Sequence, residues 1–248
     1  MTTNLRYDYV GDQRLSEGAD WIGTFRGLRT HFHEEIQVSV SIFGLRRYML
    51  GNSLVGLEPG DVLIVPAQVV HSALPTSYRD TRSTEFFLIA SKLPDAARSL
   101  IVGSNYLVLS APWALQLARD DLPGAIASAV SALGGDSQAI LRREAARPAE
   151  SLDLRLVDES QSVASRAMEL GLSREGYIRR FVRRFGMPPH AHRLAGRLNE
   201  GRELLRRGLS IADVAHATGF SDQSHFGRHF LQSFGATPGQ FKSAHVTR

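Results

Sequence analysis

An internal repeat in the C-terminal part of the chain constrains the fold more than any other feature. Residues 164–189 read ASRAMELGLSREGYIRRFVRRFGMPP, and residues 212–238 read ADVAHATGFSDQSHFGRHFLQSFGATP. The two segments align through Gly171 and Gly219 and through the aromatic residues that follow them. Two copies are too few for a solenoid, which needs at least about three. The repeat therefore predicts a small unit that has been duplicated.

Each copy has the pattern of two short helices joined by a glycine turn. In the second copy, residues at i, i+3, i+4 and i+7 precede Gly219, which can adopt the left-handed conformation that ends a helix. Ser221 or Asp222 then caps a second helix, as Ser173 does in the first copy. Phenylalanines at i, i+4 and i+8 fill the buried face of that helix. This is the helix-turn-helix pattern, and the residues of the second copy that form it are Ile211, Val214, Ala215, Thr218, Phe226, Phe230 and Phe234.

The distribution of charge separates the C-terminal third from the rest. Residues 159–248 carry 14 Lys and Arg against 7 Asp and Glu, whereas the whole chain has 29 and 25. A basic segment on an acidic body predicts one nucleic-acid-binding domain, although a solvated basic face gives the same charge. The second helix of each copy presents polar and cationic side chains suited to base edges and phosphates. They include Arg183 and Arg184 in the first copy and Gln223, Ser224, His225 and Arg228 in the second.

The chain resembles the AraC/XylS family of transcriptional regulators. The resemblance is carried by IADVAHATGFSDQSHFGRHFLQSFGATPGQF and by GLSREGYIRRFVRRFGMPPHAHRL. It implies two helix-turn-helix units, about 164–185 and 212–234, joined by a helix at about 189–206. It also implies that the two units enter successive major-groove segments on one side of the DNA.

The resemblance assigns base-reading positions to three residues in each unit. Arg179 and Arg228 are expected to bind guanine through two hydrogen bonds, with a phosphate contact as the alternative role. Arg197, on the connecting helix, matches a family arginine with a supporting or phosphate-binding role. The other base-reading positions fall on Glu175 and Ile178 in the first unit and on Ser224 and His225 in the second.

The first 93 residues have a different pattern, which predicts β-structure. Residues 20–90 alternate between apolar and polar positions and are interrupted by turn residues, as in a sandwich or small barrel. The segment 94–151 has helical spacing and predicts a linker or dimerisation region. Residues 152–248 are expected to form the DNA-binding domain.

The stretch HFHEEIQ places His31, His33, Glu35 and Gln37 on one face of a predicted strand. Together with Gly44, and with the later Gly60, Pro66 and His71, it resembles the double motif of the cupin barrels. The resemblance implies a metal site on His31, His33 and His71. Gln37 stands where the motif has a glutamate ligand and Gln68 where it has a second glycine, and Glu35 could replace the missing carboxylate. Three interpretations remain: a divalent metal site, a ligand pocket without metal, or a structural cluster.

We therefore expect an α+β chain, with an N-terminal cupin-like β-barrel followed by an all-α domain of two helix-turn-helix units. The expected function is sequence-specific regulation of transcription in response to a small-molecule effector. Double-stranded promoter DNA, RNA polymerase for an activator, and a second copy in a homodimer are the expected partners. The alternatives are a metal-dependent cupin enzyme fused to a DNA-binding domain, and a constitutive regulator whose barrel only dimerises. The absence of cysteine, of a secretory signal and of an apolar run of about 18 residues predicts a cytoplasmic protein without a membrane segment.

Overall fold

The structure is a computed structural model of the chain. It describes residues 4–8, 15–22, 26–76, 81–117, 121–133, 140–145 and 161–246. Within these ranges, no helix is long and apolar enough to cross a membrane. Among the described residues, the N-terminal part contains two antiparallel sheets and two α-helices, and residues 161–246 are helical.

The larger sheet has seven strands in the order β1-β2-β8-β3-β6-β9-β10. Every ladder in it is antiparallel. The strands are β1 (Asn4–Asp8), β2 (Leu15–Ile22), β3 (Ile36–Phe43), β6 (Asp61–Val65), β8 (Arg82–Leu88), β9 (Ser104–Ser110) and β10 (Ile140–Ala145).

The smaller sheet has three strands in the order β5-β4-β7. These are β4 (Arg46–Leu50), β5 (Ser53–Leu57) and β7 (His71–Ala73). Strand β6 shows how the sheets pack, because Val62 and Ile64 contact the helices on one side while Leu63 and Val65 face the smaller sheet on the other. The expected barrel is not found as a closed structure in the described residues: the strands form two separate sheets, linked by an isolated bridge between His31 and His71.

The middle segment is not only helical, which corrects the sequence-based expectation. Helices α1 (Asp95–Val102) and α2 (Leu122–Ser131) pack on the larger sheet, but β9 and β10 are two of its strands. Strand β9 reads SNYLVLS, a short apolar run that could not be distinguished by pattern from the adjacent helices. The expected boundary at residue 151 lies outside the described residues.

The C-terminal part contains two helix pairs separated by a long helix. Its helices are α3 (Val163–Glu169), α4 (Arg174–Phe185), α5 (Pro189–Arg206), α6 (Ile211–Ala217), α7 (Gln223–Phe234) and α8 (Pro238–Val246). The predicted glycine turns are confirmed, because Gly171 and Gly219 have φ angles of 67° and 72°. The predicted caps are also present: the Ser173 hydroxyl accepts a hydrogen bond from the Gly176 amide, and Asp222 accepts one from His225.

Gly201 lies inside α5 for a steric reason. A Cβ atom at this position would lie 2.7 Å from Cε2 of Phe226, so the glycine lets α5 and α7 approach closely. Phe226, Phe230 and Phe234 form the core beneath them, as the sequence pattern predicts.

Candidate functional site

His31, His33 and His71 come together in one buried cluster. Each ring offers a nitrogen atom, and these atoms all lie within 4.8 Å of one another. The segment before β3 brings them together, because His31 pairs with His71 through two backbone hydrogen bonds of 2.9 Å. The strand itself begins only at Ile36. The prediction that His31, His33, Glu35 and Gln37 share one strand face is therefore wrong. Gln37 contacts the cluster from β3, while Glu35 contacts the C-terminal part.

The hydrogen bonds around the cluster determine which ring nitrogen carries each proton. Nδ1 of His31 lies 2.6 Å from the carbonyl oxygen of Arg29, and Nδ1 of His71 lies 2.8 Å from that of Val69. A carbonyl oxygen only accepts hydrogen bonds, so Nδ1 of His31 carries hydrogen and its Nε2 keeps a lone pair. Both ring nitrogen atoms of His71 face oxygen acceptors, the Val69 carbonyl group and Oε1 of Gln37. This arrangement resembles the way in which outer-shell carbonyl groups orient metal-binding histidines.

His33 has the opposite arrangement. Nη1 of Arg202, which can only donate, lies 3.0 Å from Nδ1 of His33. The neutral ring therefore carries its hydrogen on Nε2, which donates to Nε2 of His31 across 3.1 Å. His31 and His33 thus form a hydrogen-bonded chain that ends at an arginine, while the His71 ring packs against both, with its centre 4.6 Å and 5.2 Å from theirs.

Two further polar groups lie beside the rings. Oε1 of Gln37 lies 2.8 Å from Nε2 of His71, and Nε2 of Gln37 donates to the Ser39 hydroxyl across 3.0 Å, so the amide bridges ring and hydroxyl. The buried carboxyl of Glu85 lines the same cavity as His31 and His33. Glu85 also accepts a hydrogen bond of 3.0 Å from the Tyr48 hydroxyl and lies 3.6 Å from Arg46.

Burial suppresses the charge of the cluster. It lowers the pKa of His71 to about 4. It also holds the pKa values of His31 and His33 well below the ordinary value, and there the neighbouring histidines and Arg202 act in the same direction. The cluster is therefore electrically neutral near pH 7, which leaves lone pairs available for a ligand.

Helix α5 closes the cluster from the C-terminal side. Arg202 contacts both His33 and the Glu35 carboxylate, the latter at 3.2 Å, and Arg206 binds Glu35 at 2.5 Å. Asn199, one turn earlier, donates to the carbonyl oxygen of Phe32 across 3.0 Å. Glu35 is therefore committed to α5 and does not take the place of the missing glutamate ligand.

Aromatic rings complete the cover over the cluster. Phe234, at the end of α7, lies with its centre 5.9 Å from His31 and 5.8 Å from His33, and Phe87 lies 4.8 Å from His33. The guanidinium group of Arg202 lies 5.0 Å from the centre of Phe234 and 5.1 Å from that of Phe87. The remaining cavity measures about 10 Å³, the space of roughly one water molecule.

Sequence reasoning did not identify Arg202, Arg206, Phe234 or Glu85 as part of this site. The first three belong to the C-terminal repeat region and have the spacing of ordinary helix residues. Their roles depend on how the two halves of the chain pack against each other. The sequence pattern within one segment does not show this packing. Glu85 offered a weaker signal, as the one carboxylate within the apolar strand β8.

Gln68, at the second glycine position of the cupin motif, has a φ angle of 65°. This is the left-handed region that glycine favours, so the turn is kept without the glycine. The backbone N–H of Gln68 donates to the His33 carbonyl oxygen across 2.8 Å, and its side chain donates to Glu34 across 2.6 Å. Gln68 thus holds the segment that carries His33.

The expected DNA-contacting residues lie on the second helix of each pair, with the exception of Arg197. Arg197 donates from Nε to the Thr218 carbonyl oxygen across 2.5 Å and stacks 4.2 Å from the centre of Phe220, so it supports the turn of the second pair. Ile178 packs partly into the core of the first pair. Glu175, Arg179, Arg183, Gln223, Ser224 and Arg228 are exposed, while Ile178, Arg184, Arg197 and His225 are half-buried.

The His225 side chain is held by its own helix. Nε2 of His225 lies 3.1 Å from Nε2 of His229, and Nδ1 lies 3.1 Å from the Ser221 hydroxyl. A contact from His225 to a base would therefore compete with these local partners.

Comparison with known proteins gives matches to both halves of the chain. Residues 166–244 match the family model described as a helix-turn-helix domain. The HTH-type transcriptional regulator MtrA of Neisseria gonorrhoeae is 36% identical over 72 residues, which cover 29% of this chain and 24% of MtrA. The uncharacterized HTH-type transcriptional regulator YbfI of Bacillus subtilis is 24% identical over 235 residues, or 82% of each chain. The aligned part thus spans about a quarter of MtrA but most of YbfI.

Among solved structures, ToxT of Vibrio cholerae O395 has a similar fold. It superimposes with a TM-score of 0.53 at 12% sequence identity, covering 100% of this chain and 98% of ToxT. ToxT has also been crystallised with a bound unsaturated fatty acid, and that structure superimposes with a TM-score of 0.50. The arrangement of N-terminal sheets followed by a C-terminal helical domain is therefore shared with ToxT. Residues 166–244 therefore form a helix-turn-helix domain of the AraC type, and the chain is similar to proteins that are named as HTH-type transcriptional regulators.

Proposed function

We propose that this protein binds promoter DNA through both C-terminal helix pairs and changes that binding when a small molecule or ion occupies the N-terminal sheets. Each pair, α3–α4 and α6–α7, would act as one helix-turn-helix unit, with α4 and α7 in the major groove. The exposed Arg179 and Arg228 occupy corresponding places on these helices. Phosphate contacts from Arg183 and Arg184 would add affinity without sequence preference.

We further propose that the N-terminal sheets are a cupin-like sensor whose binding site is formed by His31, His33, Gln37 and His71. Under this proposal residues 1–93 form the sensor and residues 152–248 bind DNA. The segment 94–151 adds strands to the larger sheet of the sensor. Strands β9 and β10 support the close association of the middle segment with the sensor. A homodimer and a contact with RNA polymerase would complete an activator.

The observation that carries this proposal is the direct contact between the histidine cluster and α5. Arg202 lies on the helix that joins the two helix pairs, and it hydrogen-bonds to a residue of the cluster. A ligand that binds more tightly to one arrangement of this contact would shift the population of DNA-competent molecules. A purely structural cluster would not require such a connection.

The test is a binding selection on genomic DNA. Full-length protein is mixed with fragmented DNA of its own genome, and the retained fragments are sequenced, with a chelator and with added divalent metal ions. We expect a few strongly enriched promoter fragments whose recovery depends on the added ion or on a metabolite. Equal recovery of all fragments under every condition would contradict specific DNA binding.

The enzyme alternative predicts a different outcome. A metal-dependent enzyme fused to a DNA-binding domain would lose its reaction, but not its DNA response, when His33 is replaced by alanine. A regulator with this site would lose its response to the ligand and keep its basal DNA binding. Measuring DNA binding of His33→Ala with and without metal separates the two.

A further inference from the structure

The cupin resemblance implies a divalent transition-metal cation at the histidine cluster, and we propose that Arg202 and this cation exclude one another there. Loading of the cluster would then release α5 from the N-terminal sheets. This inference rests on the proposed function, because it names the ligand class and the coupling of the same site. Transition-metal cations such as Zn²⁺, Co²⁺ and Ni²⁺ are the class that imidazole nitrogen favours.

His31 is already arranged as a ligand, because the backbone carbonyl group of Arg29 holds its hydrogen on Nδ1 and leaves the lone pair on Nε2. His71 can present Nε2 in the same way, because its Nδ1 lies 2.8 Å from the carbonyl oxygen of Val69. Gln37 could add a carbonyl oxygen, because its amide lies beside Nε2 of His71. The carboxyl group of Glu85 lies on the cavity wall and could add an oxygen ligand.

His33 is the ring that cannot bind a cation in the present arrangement. Its Nε2 carries hydrogen because Nδ1 accepts from Arg202. To bind through Nε2, the neutral ring must move that hydrogen to Nδ1, and Nδ1–H would then face the N–H group of Arg202. Two donors cannot form a hydrogen bond, so Arg202 must leave. The exchange moves one proton within the ring and releases none.

Electrostatic repulsion acts in the same direction. The guanidinium group is always charged, and it lies 3.0 Å from a ring that would hold the cation. In a buried site of low dielectric constant, such a repulsion is much larger than in water. A cation in the histidine cluster and the Arg202 guanidinium group beside His33 are therefore not present at the same time.

The size of the cavity favours an ion over an organic effector. About 10 Å³ remain between His31, His33, Glu85, Phe87, Arg202 and Phe234. This holds one water molecule or ion, whereas pockets for drug-sized ligands have about 300–1,000 Å³. A cation can therefore enter with a local displacement of Arg202.

The displacement would spread because Arg202 belongs to a network on α5. The same guanidinium pairs with Glu35, and Asn199 binds Phe32 on the same face of the helix. Further along the interface, a Cβ atom on Gly235 would overlap the ring of Trp21, so this tryptophan packs directly on the C-terminal part. Trp21 can thus report whether the two parts separate.

The first arm of the test measures metal binding. Full-length protein is titrated with Co²⁺, which gives an absorption spectrum that depends on its ligands, and with Zn²⁺ in competition. We expect one ion per chain, loss of the spectrum in His71→Gln, and affinity raised by about tenfold or more in Arg202→Met. Arg207→Met, which changes the exposed arginine directly after α5, is the matched control and should bind as the wild type does.

The second arm measures separation of the two parts. In a Trp113→Phe background, Trp21 is the remaining tryptophan, and its quenching by acrylamide should increase when Co²⁺ or Zn²⁺ is added. Arg202→Met should show increased quenching before any metal is added. If circular dichroism shows that Arg202→Met is not folded, Arg202→Gln replaces it in both arms.

Each result bears on a different part of the inference. No metal binding to wild type or to Arg202→Met overturns the metal site, and equal affinity for both overturns the exclusion. Metal binding without a change at Trp21 overturns the coupling. Specific DNA binding in the genomic selection is measured separately, so failure of this inference is distinguishable from failure of the proposed function.

Discussion

Arg202 donates a hydrogen bond to Nδ1 of His33 across 3.0 Å and so joins the long C-terminal helix to the N-terminal sheets. The two residues are 169 positions apart in the sequence. Their contact places a sensor-like cluster and the helix between two candidate DNA-reading units in one hydrogen-bonded network.

Glu35→Gln should destabilise the protein by roughly 3 kcal/mol, because it removes the carboxylate that pairs with both the buried Arg202 and the partly buried Arg206. Glu34→Gln is the adjacent control. Glu34 is exposed, so its replacement should change the unfolding free energy by less than about 1 kcal/mol. Urea unfolding of both variants provides the comparison, and equal losses would show that the Glu35 ion pairs contribute little.

Gly201→Ala and Gly227→Ala should have opposite effects. An alanine Cβ at position 201 would meet Phe226 at 2.7 Å, and relief of this overlap should destabilise the protein by about 1–3 kcal/mol. At position 227 the nearest atom, Cδ of Pro238, is 3.9 Å away. The better helix propensity of alanine should then stabilise the protein by up to about 1 kcal/mol. Thermal unfolding of the two variants decides whether the contact with Phe226 explains the glycine in α5.

His192→Gln should weaken the dependence of stability on pH. Burial lowers the pKa of His192, which lies among Phe32, Phe181 and Phe185. The folded state therefore binds this proton less tightly than the unfolded state. The contribution of neutral His192 to the unfolding free energy is therefore complete above the ordinary histidine pKa of about 6.5, and it is lost as the pH falls below that value.

The measurement for His192 is the unfolding free energy at several pH values between 5 and 8. The wild type should lose more stability than the variant over the acidic part of this range. His190→Gln, an exposed residue of the same helix, is the control and should follow the wild type. Identical curves for wild type and His192→Gln would contradict the assignment.

Arg228→Ala should reduce specific DNA binding and relax the preference at one base pair. An arginine that binds guanine through two hydrogen bonds discriminates between bases by about 1–3 kcal/mol. Binding to the selected fragment, to its single-base variants and to random DNA should be compared. Equal weakening on all of these would identify Arg228 as a phosphate contact instead.

Arg183→Ala should act on affinity without changing the preferred sequence. Arg183 is exposed on α4, where a phosphate contact would contribute about one unit to the slope of log affinity against log salt concentration. The experiment measures binding to one fragment over a series of salt concentrations. An unchanged slope would place Arg183 outside the interface with DNA.

The C-terminal helices could be predicted closely because their signals are local. Ser173 and Asp222 cap their helices, and Gly171 and Gly219 end the preceding ones, each through a contact within a few residues. The predicted connecting helix, about 189–206, agrees with α5. The meeting of His31, His33 and His71 agrees with what the resemblance to the cupin motif implies.

The remaining part of the site could not be predicted, because it depends on packing between distant segments. Nothing in the sequence around Arg202 distinguishes it from the neighbouring arginines Arg206 and Arg207, and only the packed structure turns it toward His33. Glu35 was expected beside the histidines, but two arginines on α5 draw it away. Strand β9 was missed because a short apolar run fits either a strand or a buried helix.

The turn at Gln68 has a consequence for how tightly a ligand can be held. A residue other than glycine in the left-handed conformation costs about 1 kcal/mol or more relative to glycine. Gln68 also donates hydrogen bonds to the His33 carbonyl oxygen and to the Glu34 carboxylate. Where glycine would leave the loop free to fluctuate, the chain instead stiffens the segment that presents His33. A receptor that is rigid before its ligand arrives loses less entropy on binding, so this small backbone strain would sharpen the response to scarce ligand.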